Sequence, residues 1–411
     1  VAEYGGGIAC WQPVISAGNA LSRLRLVLQK SLVLDNRAVY GAGVHTLGSE
    51  VVASDSSFVK NVASQDGGGI LSVKGVVSLT NGLVSENTAG NDGGALHAVA
   101  STLMVANTSV EYNIAQRLGA GLFVQFKQFP CALSVYFIAL SDLLVRIPKE
   151  DSSHCQRLDN VTIPITVLQD SRVLANLASH SGAGIYVIAG VMTLNNCLIK
   201  GNVAEYGGGI ACWQPVISAG NALSRLRLVL QKSLVLDNRA VYGAGVHTLG
   251  SEVVASDSSF VKNVASQDGG GILSVKGVVS LTNGLVSENT AGNDGGALHA
   301  VASTLMVANT SVEYNIAQRL GAGLFVQFKQ FPCALSVYFI ALSDLLVRIP
   351  KEDSSHCQRL DNVTIPITVL QDSRVLANLA SHSGAGIYVI AGVMTLNNCL
   401  IKGNVAEYGG G

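Results

Sequence analysis

Phe58-Val-Lys-Asn61-Val-Ala-Ser-Gln-Asp-Gly67-Gly-Gly-Ile70 is followed, 26 residues on, by Val84-Ser-Glu-Asn87-Thr-Ala-Gly-Asn-Asp-Gly93-Gly-Ala-Leu96. The two stretches share an apolar residue three before the Asn, an Ala two after it, and a glycine-rich triplet closed by Ile or Leu. Four more segments have the same form: Val33–Asn36 with Gly41–Val44, Val110–Asn113 with Gly119–Leu122, Val173–Asn176 with Gly182–Ile185, and Ile199–Asn202 with Gly207–Ile210. Successive asparagines, ending at Asn238, are 25, 26, 26, 63, 26 and 36 residues apart, so the period is about 25–26 with two insertions.

Around each Asn three stretches alternate with period 2, the signature of short strands. Their inward positions are Leu26/Leu28, Val51/Ala53, Val77/Leu79, Leu103/Val105, Thr166/Leu168 and Met192/Leu194 on the first strand. On the second they are Val33, Phe58, Val84, Val110, Val173 and Ile199. The third carries Val44/Thr46, Ile70/Ser72, Leu96/Ala98, Leu122/Val124, Ile185/Val187 and Ile210/Cys212. Lys30, Asp55, Asn81, Asn107, Asp170 and Asn196 fall between the first two strands, and Asx residues suit a left-handed bend there. Three strands and three turns per period describe one rung of a parallel β-helix, stacked on the next at ~4.8 Å. The expected fold is all-β: a right-handed parallel β-helix (β-solenoid), three strands per rung. The asparagines are expected to form an internal ladder, each amide bonding a turn and its neighbour. They are Asn36, Asn61, Asn87, Asn113, Asn176 and Asn202, then Asn238, Asn263, Asn289, Asn315, Asn378 and Asn404.

The second set exists because residues 1–202 recur without substitution at 203–404, and 405–411 begins a third copy. Each copy is read as a unit of about six rungs, with insertions at about 11–22 and 127–160, and at about 213–224 and 329–362. Both ends fall inside motifs, which is what a window of a longer array would show. Each copy carries 13 Lys+Arg and 13 Asp+Glu, so an array would gather no self-repulsion as it lengthened. The even charge of the whole chain, 26 Lys+Arg against 27 Asp+Glu, leaves no basic excess for nucleic acid. Hydrophobic residues at 48% and charged ones at 13% exclude intrinsic disorder.

The paired Phe-x-x-Asn and Gly-Gly-Ala-[Ile/Leu/Val] motifs resemble the repeat of chlamydial polymorphic outer-membrane proteins, surface adhesins of the pectin-lyase-like β-helix type. Phe58–Asn61 matches the first motif literally and Gly93–Leu96 comes closest to the second; the other rungs trade Phe for Val or Ile and Gly for Ala. The resemblance implies a β-helix displayed at a cell surface.

Outward positions on the third strand read His45, Leu71, His97, Phe123, Tyr186, Ala211, then Leu47, Val73, Val99, Gln125, Ile188, Trp213. The apolar members, Leu71, Val73, Val99, Phe123, Tyr186, Ile188 and Trp213, define an outer face expected to be covered by the insertion or by a neighbour. The longer insertion holds two strand-like runs, Ser134–Leu140 and Leu143–Ile147, too short and too interrupted for a membrane span. Cys131 and Cys155 bracket them, as Cys333 and Cys357 do in the second copy, and a disulfide in each would fix the arm in an oxidising compartment. Cys10 and Cys197 remain, and Cys197 and Cys212 fall on inward positions where a small buried hydrophobe is expected. Asn107-Thr-Ser109 and Asn160-Val-Thr162, repeated at Asn309 and Asn362, are N-glycan acceptors in a secreted protein.

An enzyme must be weighed, since β-helices of this type include polysaccharide lyases and hydrolases. Asp66 and Asp92 occupy one position of successive rungs, ~4.8 Å apart. With Leu118 and Ser181 next, and no Arg, Lys or His column expected beside them, turn carboxylates able to hold Ca2+ are the plainer reading. His45 and His97, separated by the rung of Leu71, are too far apart for one metal. No catalytic residue, cofactor or metal is therefore expected. The expected function is that of an extracellular structural protein, the shaft of a cell-surface fibre whose partners are itself or other fibre proteins. An adhesin displaying the insertion is the alternative.

Overall fold

A computed structural model describes residues 2–11, 24–126, 137–140, 143–146, 165–214, 226–327, 339–342, 345–348 and 367–411. All regular elements among them are β-strands. Three sheets run the length of the molecule, each of twelve parallel strands. The first contains Arg25–Gln29, Glu50–Ser54, Val76–Thr80 and Thr102–Ala106 and ends at Val393–Asn397; the second runs from Leu32–Leu34 to Leu400–Lys402; the third runs from Ile8–Trp11 to Ile387–Ile390. The chain visits first, second and third sheets in turn, then steps up one rung. This is a parallel β-solenoid.

Register is set by the alternation. On the first sheet Val51 pairs Val77, Val77 pairs Leu103, Leu103 pairs Thr166 and Thr166 pairs Met192. Across the copy boundary Met192 pairs Leu228, so the column continues without a shift. A one-residue slip would turn these side chains to the outer face, so the buried column locks the pairing. One hydrophobic core runs between the three sheets, with Phe58, Ile70, Leu103, Met192 and Ile199 almost fully enclosed.

The bends behave as their residues dictate. Lys30, Asp55, Asn81, Asn107, Asp170 and Asn196 all have φ between 46° and 51° or at 53°, in the left-handed region. Gly67, at the head of its triplet, has φ 69°, and a Cβ there would lie 2.6 Å from the Cβ of Leu71. That position is Gly in all six rungs of a copy, whereas the next two accept Ala in some (Ala42, Ala120, Ala95).

The three-strand rung has a fourth, shorter element. Just after most of the asparagines a short strand pairs with its neighbours: Arg37–Tyr40, then the two-residue Val62–Ala63, Thr88–Ala89, Ile114–Ala115 and Leu177–Ala178 in one ladder, Arg239–Ala240 onward in another. Bridges of Val203 to Leu177 and to Arg239 link the two ladders. Its inward alanines, Ala115, Ala178 and Ala204, pack on Ala120 and Ala183 of the triplets. Separately from the solenoid sheets, Phe137–Leu140 pairs antiparallel with Leu143–Arg146, and Phe339–Leu342 with Leu345–Arg348.

Candidate functional site

The asparagines form a continuous hydrogen-bonded column. Asn61 donates its backbone N–H (3.0 Å) and its Nδ2 (2.9 Å) to Oδ1 of Asn87, and the same Nδ2 to the carbonyl of Val33 at 2.9 Å. Asn87 repeats the pattern on Asn113 and Phe58, and Asn113 on Asn176 and Val84. The column starts at Asn36, which donates to Asn61, and Asn176 donates to Asn202. It crosses the copy boundary from Asn202 to Asn238 at 3.0 Å. From there it runs through Asn263, Asn289, Asn315 and Asn378 to Asn404. Each interior amide gives both donors and accepts twice, so a buried polar group is satisfied.

A second cluster occupies the corner ahead of the third sheet. The carboxylate of Asp92, almost fully buried, is gripped by Arg117, Nε to Oδ1 at 3.0 Å and Nη2 to Oδ2 at 2.6 Å. Asp66 Oδ1 accepts the backbone N–H of Asp92 at 3.2 Å and lies 4.0 Å from Nδ1 of His97. That nitrogen is buried without a hydrogen-bond partner. Burial pushes the His97 pKa down, opposed by the charges of Asp66 and Asp92. The hydrogen bonds that Arg117 donates to Asp92 raise the guanidinium pKa above its usual range. Burial raises the pKa of the adjoining Tyr186 to about 12. The second copy repeats the arrangement with Asp268, Asp294, His299 and Arg319.

The expectation that no Arg, Lys or His would stand beside the two carboxylates is therefore corrected. Arg117 belongs to the next rung, one residue before the Leu118 that pairs with Asp92, and its long side chain reaches back across the rung. His97 comes from the strand after the glycines and folds towards the turn. Among the described residues no three His, Cys, Asp or Glu side chains are placed to hold a metal ion.

The outward positions of the third sheet divide in two. Leu71, Phe123 and Tyr186 are buried, and so are His97 and Ala211. Leu118, ahead of its triplet, packs with Phe123, Tyr186 and Ala211, while the rings of Tyr4 and Tyr206 lie 5.1 and 5.5 Å from His45 and His247. The chain's own corner covers this column. In the second column Val73, Val99 and Ile188 are half-buried and Trp213 is exposed.

Asn107 and Asn309 lie exposed on the bend between first and second sheets, and Asn107 donates Nδ2 to Asn81 Oδ1 at 2.8 Å. Asn160 and Asn362, and the cysteines Cys131, Cys155, Cys333 and Cys357, fall outside the described residues. Within them Cys10, Cys197, Cys212 and Cys399 are free thiols. Cys212 is fully enclosed, its pKa raised to about 12 by burial, and Cys197 to about 11 for the same reason. No helix of the described residues is long and apolar enough to cross a membrane. Compared with models of protein families, with curated proteins and with solved structures, the chain matches none.

Proposed function

We propose that the chain is a non-enzymatic structural shaft, a segment of a repetitive extracellular fibre or cell-surface appendage that associates with copies of itself or with other fibre proteins. The observation that carries this reading is the copy boundary. Three sheets and the asparagine ladder pass from the first copy to the second in the register used within each copy, so the unit can be added without limit. The gripped carboxylate of Asp92 supports a structural role for the corner, since a glycosidase needs two carboxylates free to act on a sugar. The exposed Asn107 and Asn309 suit glycan attachment, and the extracellular placement rests on these sequons and on the cysteine pairs of the insertions.

Six rungs at ~4.8 Å give a ~29 Å axial repeat. Fibre diffraction or electron microscopy of native material is expected to show that spacing along extended filaments; single unassociated particles without it would refute the proposal. A second reading, an adhesin of the polymorphic outer-membrane type, is favoured by the antiparallel hairpin Phe137–Leu140 and Leu143–Arg146, which is hydrogen-bonded into none of the solenoid sheets. Deleting 127–160 and 329–362 would then abolish attachment to cells while leaving the rod folded, whereas a pure shaft attaches to nothing in either form.

A further inference from the structure

The short fourth ladder carries an apolar stripe on its outer side. Ile114, Leu177 and Val203 stack in consecutive rungs, bridged to one another, and are 42%, 48% and 39% exposed. Tyr112, on the neighbouring bend, is 60% exposed. An identical stripe, with Tyr314, Ile316, Leu379 and Val405, recurs one copy further along the rod. These side chains do not fold back on the corner, as those of the third sheet do.

We propose that this corner is the lateral contact between two copies of the chain, packed side by side and antiparallel about a two-fold axis. The inference rests on the shaft reading but places the contact away from the third sheet. Three observations select a second copy as the occupant. The ends of the stripe differ in charge: Glu111 stands beside Tyr112, while at the other end Arg239 follows Val203 in the same column and Lys200, in the rung of Val203, is partly offset by Asp237 at 3.6 Å. A two-fold axis lays the acidic end of one stripe on the basic end of the other, whereas parallel, in-register rods would oppose like charges. The stripes also recur with the period of the chain itself, so only a partner of equal period engages all of them at once. Finally, one stripe offers on the order of 300 Å² of apolar surface, where an exposed patch begins to signal a binding site. Two stripes come to about 600 Å², close to the ~800 Å² each partner gives a stable interface.

Sedimentation of the full 411-residue chain tests this. The unaltered chain is expected to dimerise at micromolar concentration. Replacing Ile114, Leu177, Ile316 and Leu379 by Glu should raise the dissociation constant at least ~100-fold, as loss of a central apolar contact does. Circular dichroism should be unchanged, because these side chains point outward. E111K with E313K should weaken association about tenfold or more, and adding K200E with K402E should restore it, since the end charges are then exchanged and again complementary. Absence of rescue would overturn the antiparallel arrangement. Association that survives the four Glu substitutions but is lost in V73E/V99E/V275E/V301E would overturn the location and leave the shaft reading standing. A chain that stays monomeric at every concentration would overturn the lateral contact, while the axial repeat of native filaments tests the shaft independently.

Discussion

Replacing Asn87 by Ala removes one rung of the ladder and should open the solenoid locally. The Asn87 side chain donates to Phe58 O at 2.9 Å and Asn113 Oδ1 at 3.0 Å, and accepts from Asn61 N at 3.0 Å and Asn61 Nδ2 at 2.9 Å. Four hydrogen bonds at a net of about 1 kcal/mol each, plus about 1–2 kcal/mol for the Asn61 N–H left buried without a partner, give about 5 kcal/mol. A solenoid unfolds rung by rung, so a single melting temperature is a poor gauge, and hydrogen exchange is the better assay. At 1.4 kcal/mol per tenfold, amides from Phe58 to Leu96 should exchange at least ~100-fold faster. Asn289, which holds Phe260 and Asn315 with the same bonds, is an internal control in the unaltered copy. The copies are identical in sequence, so the fragments compared must contain residue 87, whose altered mass separates them from their counterparts. A change below tenfold would refute the view that the ladder holds adjacent rungs together.

Three further outcomes are expected. Gly67→Ala places a Cβ at φ 69° and 2.6 Å from Leu71 Cβ, so it should destabilise its rung by about 2 kcal/mol or more, read by the same exchange measurement; an unchanged exchange rate would contradict the assignment of that corner to glycine. His247 has its pKa lowered by burial from 6.5 to about 4, so the folded chain keeps the ring neutral; this stability is full above about pH 6.5 and is lost as pH falls towards 4, and H247Q should show a smaller drop in thermal stability across that window. Cys212, its pKa raised to about 12 by burial, should resist alkylation at neutral pH until the chain is denatured, as followed on the tryptic fragment that begins at Gly201; rapid labelling of the native rod would contradict the enclosed position.

The strands, their inward columns and the asparagine ladder were legible because each leaves a repeated residue type at a repeated spacing. The fourth ladder was not, since two residues are too few to show alternation. Nor were the left-handed bends at Tyr112 and Ala175, with φ 55° and 49°, since neither residue type announces that conformation. There the strain is outweighed by neighbouring hydrogen bonds, such as Tyr112 N–H to Leu174 O at 3.1 Å. The grip of Arg117 on Asp92 escaped a column-by-column reading because the two lie one position out of register. Leu71, Phe123 and Tyr186 were expected to be covered, but by the insertion or a neighbour; that the corner itself covers them escaped for a related reason, since alternation says which way a side chain leaves the sheet, not whether a turn folds over it. The exposed stripe of Ile114, Leu177 and Val203 belongs to the same short ladder and was missed with it.

The step from Asn113 to Asn176 spans 63 residues where its neighbours span 26, yet its two bonds are both 3.0 Å long, matching 2.9 and 3.0 Å in the step before. An insertion at this corner lengthens the link between the third sheet of one rung and the first of the next from two residues, after Val99, to the stretch between Gln125 and Ile165. About four doublings of loop length cost roughly 2.5 kcal/mol if the loop is fully free. A rung returns more than that through its ladder bonds alone, and its inward columns add to them. The corner is thus where the solenoid accepts added chain without losing register, while a single residue added inside a strand would turn an inward column outward. Deleting 127–160 from the first copy alone should therefore leave the Asn113–Asn176 bonds in place and hydrogen-exchange protection in the flanking rungs unchanged or slightly raised. A loss of protection in rungs on both sides would show that the insertion holds the rod together, and would overturn the assignment of stability to the ladder and core.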